Sequence, residues 1–162
     1  MKGSMLDIVG VVTIVFFFSV CAIMGWMILD KFETSTAFTT SGMNATIIDN
    51  AKSAQGVWDW GIIFILFGSM LFTLIAAYQV DTHPALFVFG ILVFMITLII
   101  AMIVSNAFYA FYNSASISSY TGSFPNLIYT MNHLVEILMV FGAVLLIVLY
   151  GKIRNVGGGG NV

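Results

Sequence analysis

The sequence predicts an all-α integral membrane protein with four transmembrane helices. Three observations lead to this reading. Of the 162 residues, 60% are hydrophobic, only 7% are charged, and mean hydropathy is +1.08. Soluble domains carry about a quarter of their residues as Asp, Glu, Lys and Arg, so lipid must cover much of this surface. The chain also holds four apolar stretches long enough to cross a bilayer. Crossing a core of about 30 Å takes about 20 helical residues at about 1.5 Å each. Finally, these stretches are too long for buried strands and lack the alternating polarity of barrel strands.

The first stretch runs from Ile8 to Leu29, between Asp7 and Asp30. It is longer than the 7–15 apolar residues of a secretory signal, and no small-residue cleavage site is clear, so it reads as a retained span. Cys21 lies alone within it, which excludes an intrachain disulfide and predicts a small buried packing residue. With Gly25, four positions on, it would let a neighbouring helix approach closely. A polar segment rich in Ser, Thr and Asn, Asp30 to Asp59, follows and is expected as a loop.

The second stretch spans about Trp60 to Val80, and the third runs from Ala85 to about Tyr112. Between them stand Asp81, Thr82, His83 and Pro84, a link short enough to make the two spans a tight antiparallel hairpin of neighbours. Each link residue has a structural role. Pro84 suits the first turn of a helix, since it lacks an N–H and its φ is preset. His83 precedes proline and so avoids the helical region. Asp81 or Thr82 would cap the new helix, and a negative Asp81 complements its dipole. On the third span, Thr97, Ala101 and Ser105 form a small-residue stripe for helix packing.

A second polar loop is expected over residues 113–126, then the fourth span, about Leu127 to Tyr150, closing before Lys152 and Arg154. The tail, residues 155–162, is Gly-rich and reads as a flexible tether. The whole chain thus forms one transmembrane domain. An even number of spans places both termini on one face, with the Asp81–Pro84 turn; the two longer loops share the other. Trp26, Trp58, Trp60, Tyr109, Tyr112 and Tyr129 fall near the loop face, where amphipathic rings are favoured, and Tyr78 and Tyr150 near the terminal face. Lys2, Lys152 and Arg154 on the terminal face outnumber Lys31 and Lys52 on the loop face, which favours the terminal face as cytoplasmic or interior. Asn44-Ala45-Thr46, a glycosylation sequon on the loop face, fits an outside location if the protein follows a eukaryotic secretory route.

The residues that bear chemistry are few. Five basic residues scattered along the chain give no nucleic-acid footprint. Asp81 and His83 are two ligands where zinc sites take three or four, and His133, the other histidine, is expected across the membrane. No phosphate-binding Gly loop, nucleophile elbow or zincin helix occurs, so no catalytic residue, metal or cofactor is expected. Glu136 is the ionisable residue set furthest into a span, roughly 24 Å from Lys152 along a helix. Ser105, Asn106, His133 and Glu136 should reach similar depth and form a candidate intramembrane polar cluster. Such a group reads either as an interfacial, hydrogen-bonded cluster or as an ion relay.

The run Asp81-Thr82-His83-Pro84, followed by a long apolar span closing on Ser105-Asn106-Ala107-Phe108-Tyr109, resembles small multi-span proteins in the internal membrane of icosahedral, tailless viruses. The resemblance covers roughly the middle third of the chain, and no functional residue carries over with it. It implies a structural, non-enzymatic virion membrane component linking lipid to a protein shell. The partners would be the bilayer and other membrane or capsid proteins in a homo- or hetero-oligomer, without nucleic acid. Two alternatives share the same composition. One is a channel, holin or proton-conducting protein that uses Glu136. The other is an accessory subunit of a membrane enzyme complex.

Overall fold

The computed structural model describes residues 6–40, 45–79 and 84–157. Its elements are α1 (Leu6–Glu33), α2 (Thr36–Thr40), α3 (Ala45–Gln79), α4 (Pro84–Tyr112), a 3-10 turn (Ser118–Ser123), α5 (Pro125–Asn132) and α6 (Leu134–Gly157). Four of these helices carry segments long and apolar enough to cross a membrane: Ile8–Glu33, Thr46–Gln79, Phe87–Tyr112 and Leu134–Lys152. The chain is therefore all-helical, built on four candidate spans.

Each long helix buries one narrow stripe. On α1 it is Ile8, Val12, Val15, Ser19 and Ala22, at alternating spacings of four and three. On α3 it is Asp59, Ile62, Leu66 and Met70, and on α6 it is Leu134, Leu138, Phe141, Leu145 and Leu149. This is the seam spacing of helices that cross at a shallow angle. The other faces expose large apolar side chains such as Phe64, Phe72, Val88, Phe89 and Ile147. In water such a surface would aggregate; in lipid it is the expected exterior.

Contacts fix the helix directions. Asp30 meets Lys52 and Phe18 meets Trp58, so α1 and α3 run antiparallel. Phe87 meets Tyr150, and Ser105 meets Met131, so α4 runs antiparallel to the α5–α6 segment. Asp59 reaches Leu127 and Lys152 reaches Tyr78, so α3 and the α5–α6 segment run parallel. It follows that α3 and α4 are antiparallel. The main packing partners of α3 and of α4 are nevertheless α1 and α6, and not each other. The order around the bundle is thus α1, α3, α6, α4, with the two linked helices on a diagonal. The side-by-side contact expected from the short link is not what holds them. A link of a few residues ties two helix ends, but packing along the flanks decides which helices touch.

Three boundaries differ from expectation. α6 runs on to Gly157, so residues 155–157 of the tail expected as a flexible tether are helical. The segment 30–59, expected as a loop, is largely helical: α1 continues to Glu33, α2 adds a short turn, and α3 starts at Ala45. Polar composition concealed this, because the extension is held by pairs far apart in sequence. The fourth apolar run also breaks in two at His133, whose φ of −103° and ψ of 17° end α5. Of the expected turn, Asp81, Thr82 and His83 lie outside the described residues, as does the sequon residue Asn44. Pro84 is the first residue of α4.

Polar side chains along the spans are mostly satisfied by their own helix. Ser19 donates to the carbonyl of Val15 (2.7 Å), Thr97 to that of Val93 (2.9 Å) and Thr73 to that of Ser69 (2.8 Å). Bonding back along the helix in this way lets a hydroxyl sit in hydrocarbon without an external partner.

Candidate functional site

The best-defined polar centre is Asp59. It belongs to the buried stripe of α3 and is 5% exposed. Its Oδ1 accepts the Leu127 backbone N–H at 2.7 Å. Its Oδ2 accepts the Asn126 side-chain amide at 2.8 Å and the Asn126 backbone N–H at 3.3 Å. Asn126 and Leu127 lie in the first turn of α5, whose N-cap position is Phe124 and which has Pro125 at its start. Phenylalanine has no side-chain acceptor, so this helix start cannot cap itself. Asp59, 67 and 68 residues earlier in the chain, supplies the missing cap and a negative charge at the positive end of the helix dipole. Trp26 packs edge-to-face on Phe124, at 5.6 Å between ring centroids, and covers the junction from α1.

Above it lies a second polar centre. Lys52 Nζ bonds Asp30 Oδ1 at 2.8 Å and Glu33 Oε2 at 2.7 Å, and stands 5.9 Å from the Trp26 ring centroid. Its side chain is only 15% exposed. About two turns below Asp30 along α1, the Gln55 side-chain amide donates to the Ala22 carbonyl at 2.8 Å. It does so across Gly25, where a Cβ would collide with that amide. Lys52→Gln is expected to lower stability by about 1 kcal/mol, since the pair partners are part-exposed and screened. Amide exchange over Ala45–Lys52 should quicken at the same time. Unchanged exchange there would show that Lys52 does not fix the extension.

The sequence-based candidates are distributed as follows. Gly25 lies at the α1–α3 contact, whereas Cys21, expected as a buried packing residue, is exposed on the outer face of α1. Position 21 falls off the stripe defined by Ser19 and Ala22, which explains the difference. Thr97 and Ala101 are buried in the bundle. Ser105 donates to the Met131 carbonyl at 2.9 Å. His133 Nδ1 lies 3.0 Å from Glu136 Oε2, and both side chains are exposed, at 46% and 62%. Asn106 is exposed on α4 and shares no hydrogen bond with that pair among the described residues. The expected four-residue cluster is therefore divided: Ser105 serves the α4–α5 contact, and the His133–Glu136 pair faces outward.

That pair borders an apolar groove of about 480 Å³ between α3 and the α5–α6 segment. Among the described residues, no three His, Cys, Asp or Glu side chains gather as a metal ion would require. In the sequence Asp59 stands as a span boundary and Lys52 as a loop charge, which hides the structural role of each. One signal was present: Phe124-Pro125-Asn126 starts a helix without a capping side chain, which demands a cap from elsewhere.

With four candidate spans, an apolar exterior and polar centres gathered toward one end, the chain is an integral multi-span membrane protein. No family model, curated protein or solved structure matches it.

Proposed function

We propose that the protein is a structural component of a larger membrane assembly, most concretely a virion membrane protein that ties lipid to a protein shell. The observation that carries this reading is the helical extension at the α1–α3 end. α3 has 35 residues, or about 52 Å of helix, against a hydrocarbon core of about 30 Å. Measured from Tyr78 and Lys152 at one boundary, the core ends near Asp59, about 30 Å along α3. The first turns of α3, the end of α1 and α2 then stand beyond the membrane. Trp26, Trp58 and Trp60 mark the boundary, where amphipathic rings are favoured.

This extension is braced by the Lys52 ion pairs and by Phe32 on Phe38, at 5.4 Å between centroids. It also carries exposed apolar side chains, Phe32 at 51% and Ile47 at 69%. A braced platform with apolar side chains outside lipid suits contact with another protein. The termini share the opposite, interior face in this reading.

The test is site-specific photo-cross-linking from position 47 in native membranes or particles. A protein adduct in the assembly is expected, with none from position 72 on the lipid-facing side of α3. Labelling from position 47 confined to lipid or to no macromolecule would reject the proposal.

A further inference from the structure

We propose that the groove between α3 and the α5–α6 segment binds one acyl chain of a phospholipid with a primary-amine headgroup, whose ammonium hydrogen-bonds Glu136. The groove walls are apolar: Phe67, Leu71 and Leu74 on one side, Ile137, Val140 and Phe141 on the other. Its volume of about 480 Å³ falls within the range of about 300–1,000 Å³ typical of small-molecule sites. Lying between two spans, it opens to hydrocarbon, so an acyl chain is the occupant that its surroundings supply.

The headgroup follows from charge. Glu136 is 62% exposed, with His133 Nδ1 3.0 Å from its Oε2 and no Lys or Arg within ion-pair distance among the described residues. Lys52 is engaged by Asp30 and Glu33, and Lys152 bonds the Tyr78 carbonyl at the far end of α3. Glu136 therefore presents a carboxylate roughly 24 Å from Lys152, about 6 Å short of the opposite boundary of a core of about 30 Å and on the side of the loop-face headgroups. A carboxylate there favours a cation, and an ammonium can donate hydrogen bonds to it whereas a quaternary amine cannot. Anionic headgroups are repelled. Tyr129, its ring tilted against that of His133 with centroids 4.4 Å apart, also lines the groove and brings a hydroxyl for the lipid phosphate. The break at His133 sets this rim by ending α5 beside the groove.

The inference does not depend on the assembly proposed above and has its own test. The full chain is reconstituted with equal parts phosphatidylethanolamine, phosphatidylcholine and phosphatidylglycerol, then released for native mass spectrometry. One retained phosphatidylethanolamine is expected. Glu136→Gln should cut its retention about tenfold, the effect of losing one charge-assisted hydrogen bond. Val140→Trp, which fills the groove, should abolish it. Equal retention of the three lipids, a preference for another headgroup, or undiminished retention by Glu136→Gln would each overturn the proposal. A photo-reactive side chain at position 71 of the otherwise native chain provides a readout that does not depend on these variants folding. A phosphatidylethanolamine adduct supports the proposal; an adduct to a second copy or to another protein refutes it.

Discussion

Replacing Asp59 with Ala is expected to destabilise the bundle by about 3 kcal/mol, among the largest effects of any single change. The cause is what the substitution leaves behind. The Asn126 and Leu127 backbone N–H groups and the Asn126 amide all lose the acceptor that the Asp59 carboxylate provides. A buried donor without an acceptor costs its full desolvation, and a helix start without a cap frays. Asp59→Asn retains a single acceptor oxygen and should lose about half as much. Thermal unfolding in detergent, followed by tryptophan emission, reads both stability and position, because Trp26 rests on Phe124 beside the capped turn. Asp59→Ala within about 0.5 kcal/mol of wild type, the size of an exposed-site change, would remove Asp59 from its structural role.

The second large effect is expected at the α4–α6 contact. Gly142 is buried, and a Cβ placed there would overlap the Phe94 ring, itself 8% exposed. Gly142→Ala should destabilise by about 2 kcal/mol through overpacking, because the ring has little room to withdraw. Phe94→Ala should cost about 3 kcal/mol through lost packing. The decisive measurement is their combination. Once the ring is absent, the added methyl has space, so Gly142→Ala should cost almost nothing in the Phe94→Ala background. The coupling would then be about 2 kcal/mol, whereas strictly additive losses would show that the two residues do not share this contact.

These two sites mark the limit of what the sequence carries openly. Four spans were legible because span formation depends on a local sum of hydropathy over about 20 residues. The buried character of Thr97 and Ala101 was suggested by small-residue spacing alone. Gly142 gave no comparable signal. A glycine in an apolar run becomes informative only when its facing residue is known, and Phe94 lies 48 positions earlier. The same limit applies to Asp59. As the last charge before an apolar stretch it looked like a boundary marker, although it falls on the stripe of Ile62, Leu66 and Met70 and is buried with them. Cys21 shows the converse error: small size suggested a packing residue, but the helical phase turns it outward.

The polar cluster was legible in part. Its members lie at similar depth, because depth follows from counting residues along helices. Their separation follows from angular position, which counting does not supply. Ser105 turns toward Met131, Asn106 points away from the bundle, and His133 and Glu136 meet at a groove on another side.

Composition and the spacing of apolar runs alone thus determined the membrane class, the number of spans and their alternating directions. These properties are additive along the chain and need no partner. Tertiary structure alone decided that the linked helices α3 and α4 lie diagonally, that segment 30–59 folds as a helical extension, and that Asp59 caps α5. Each of these rests on contacts between residues far apart in sequence, whose energies exist only once the helices have met.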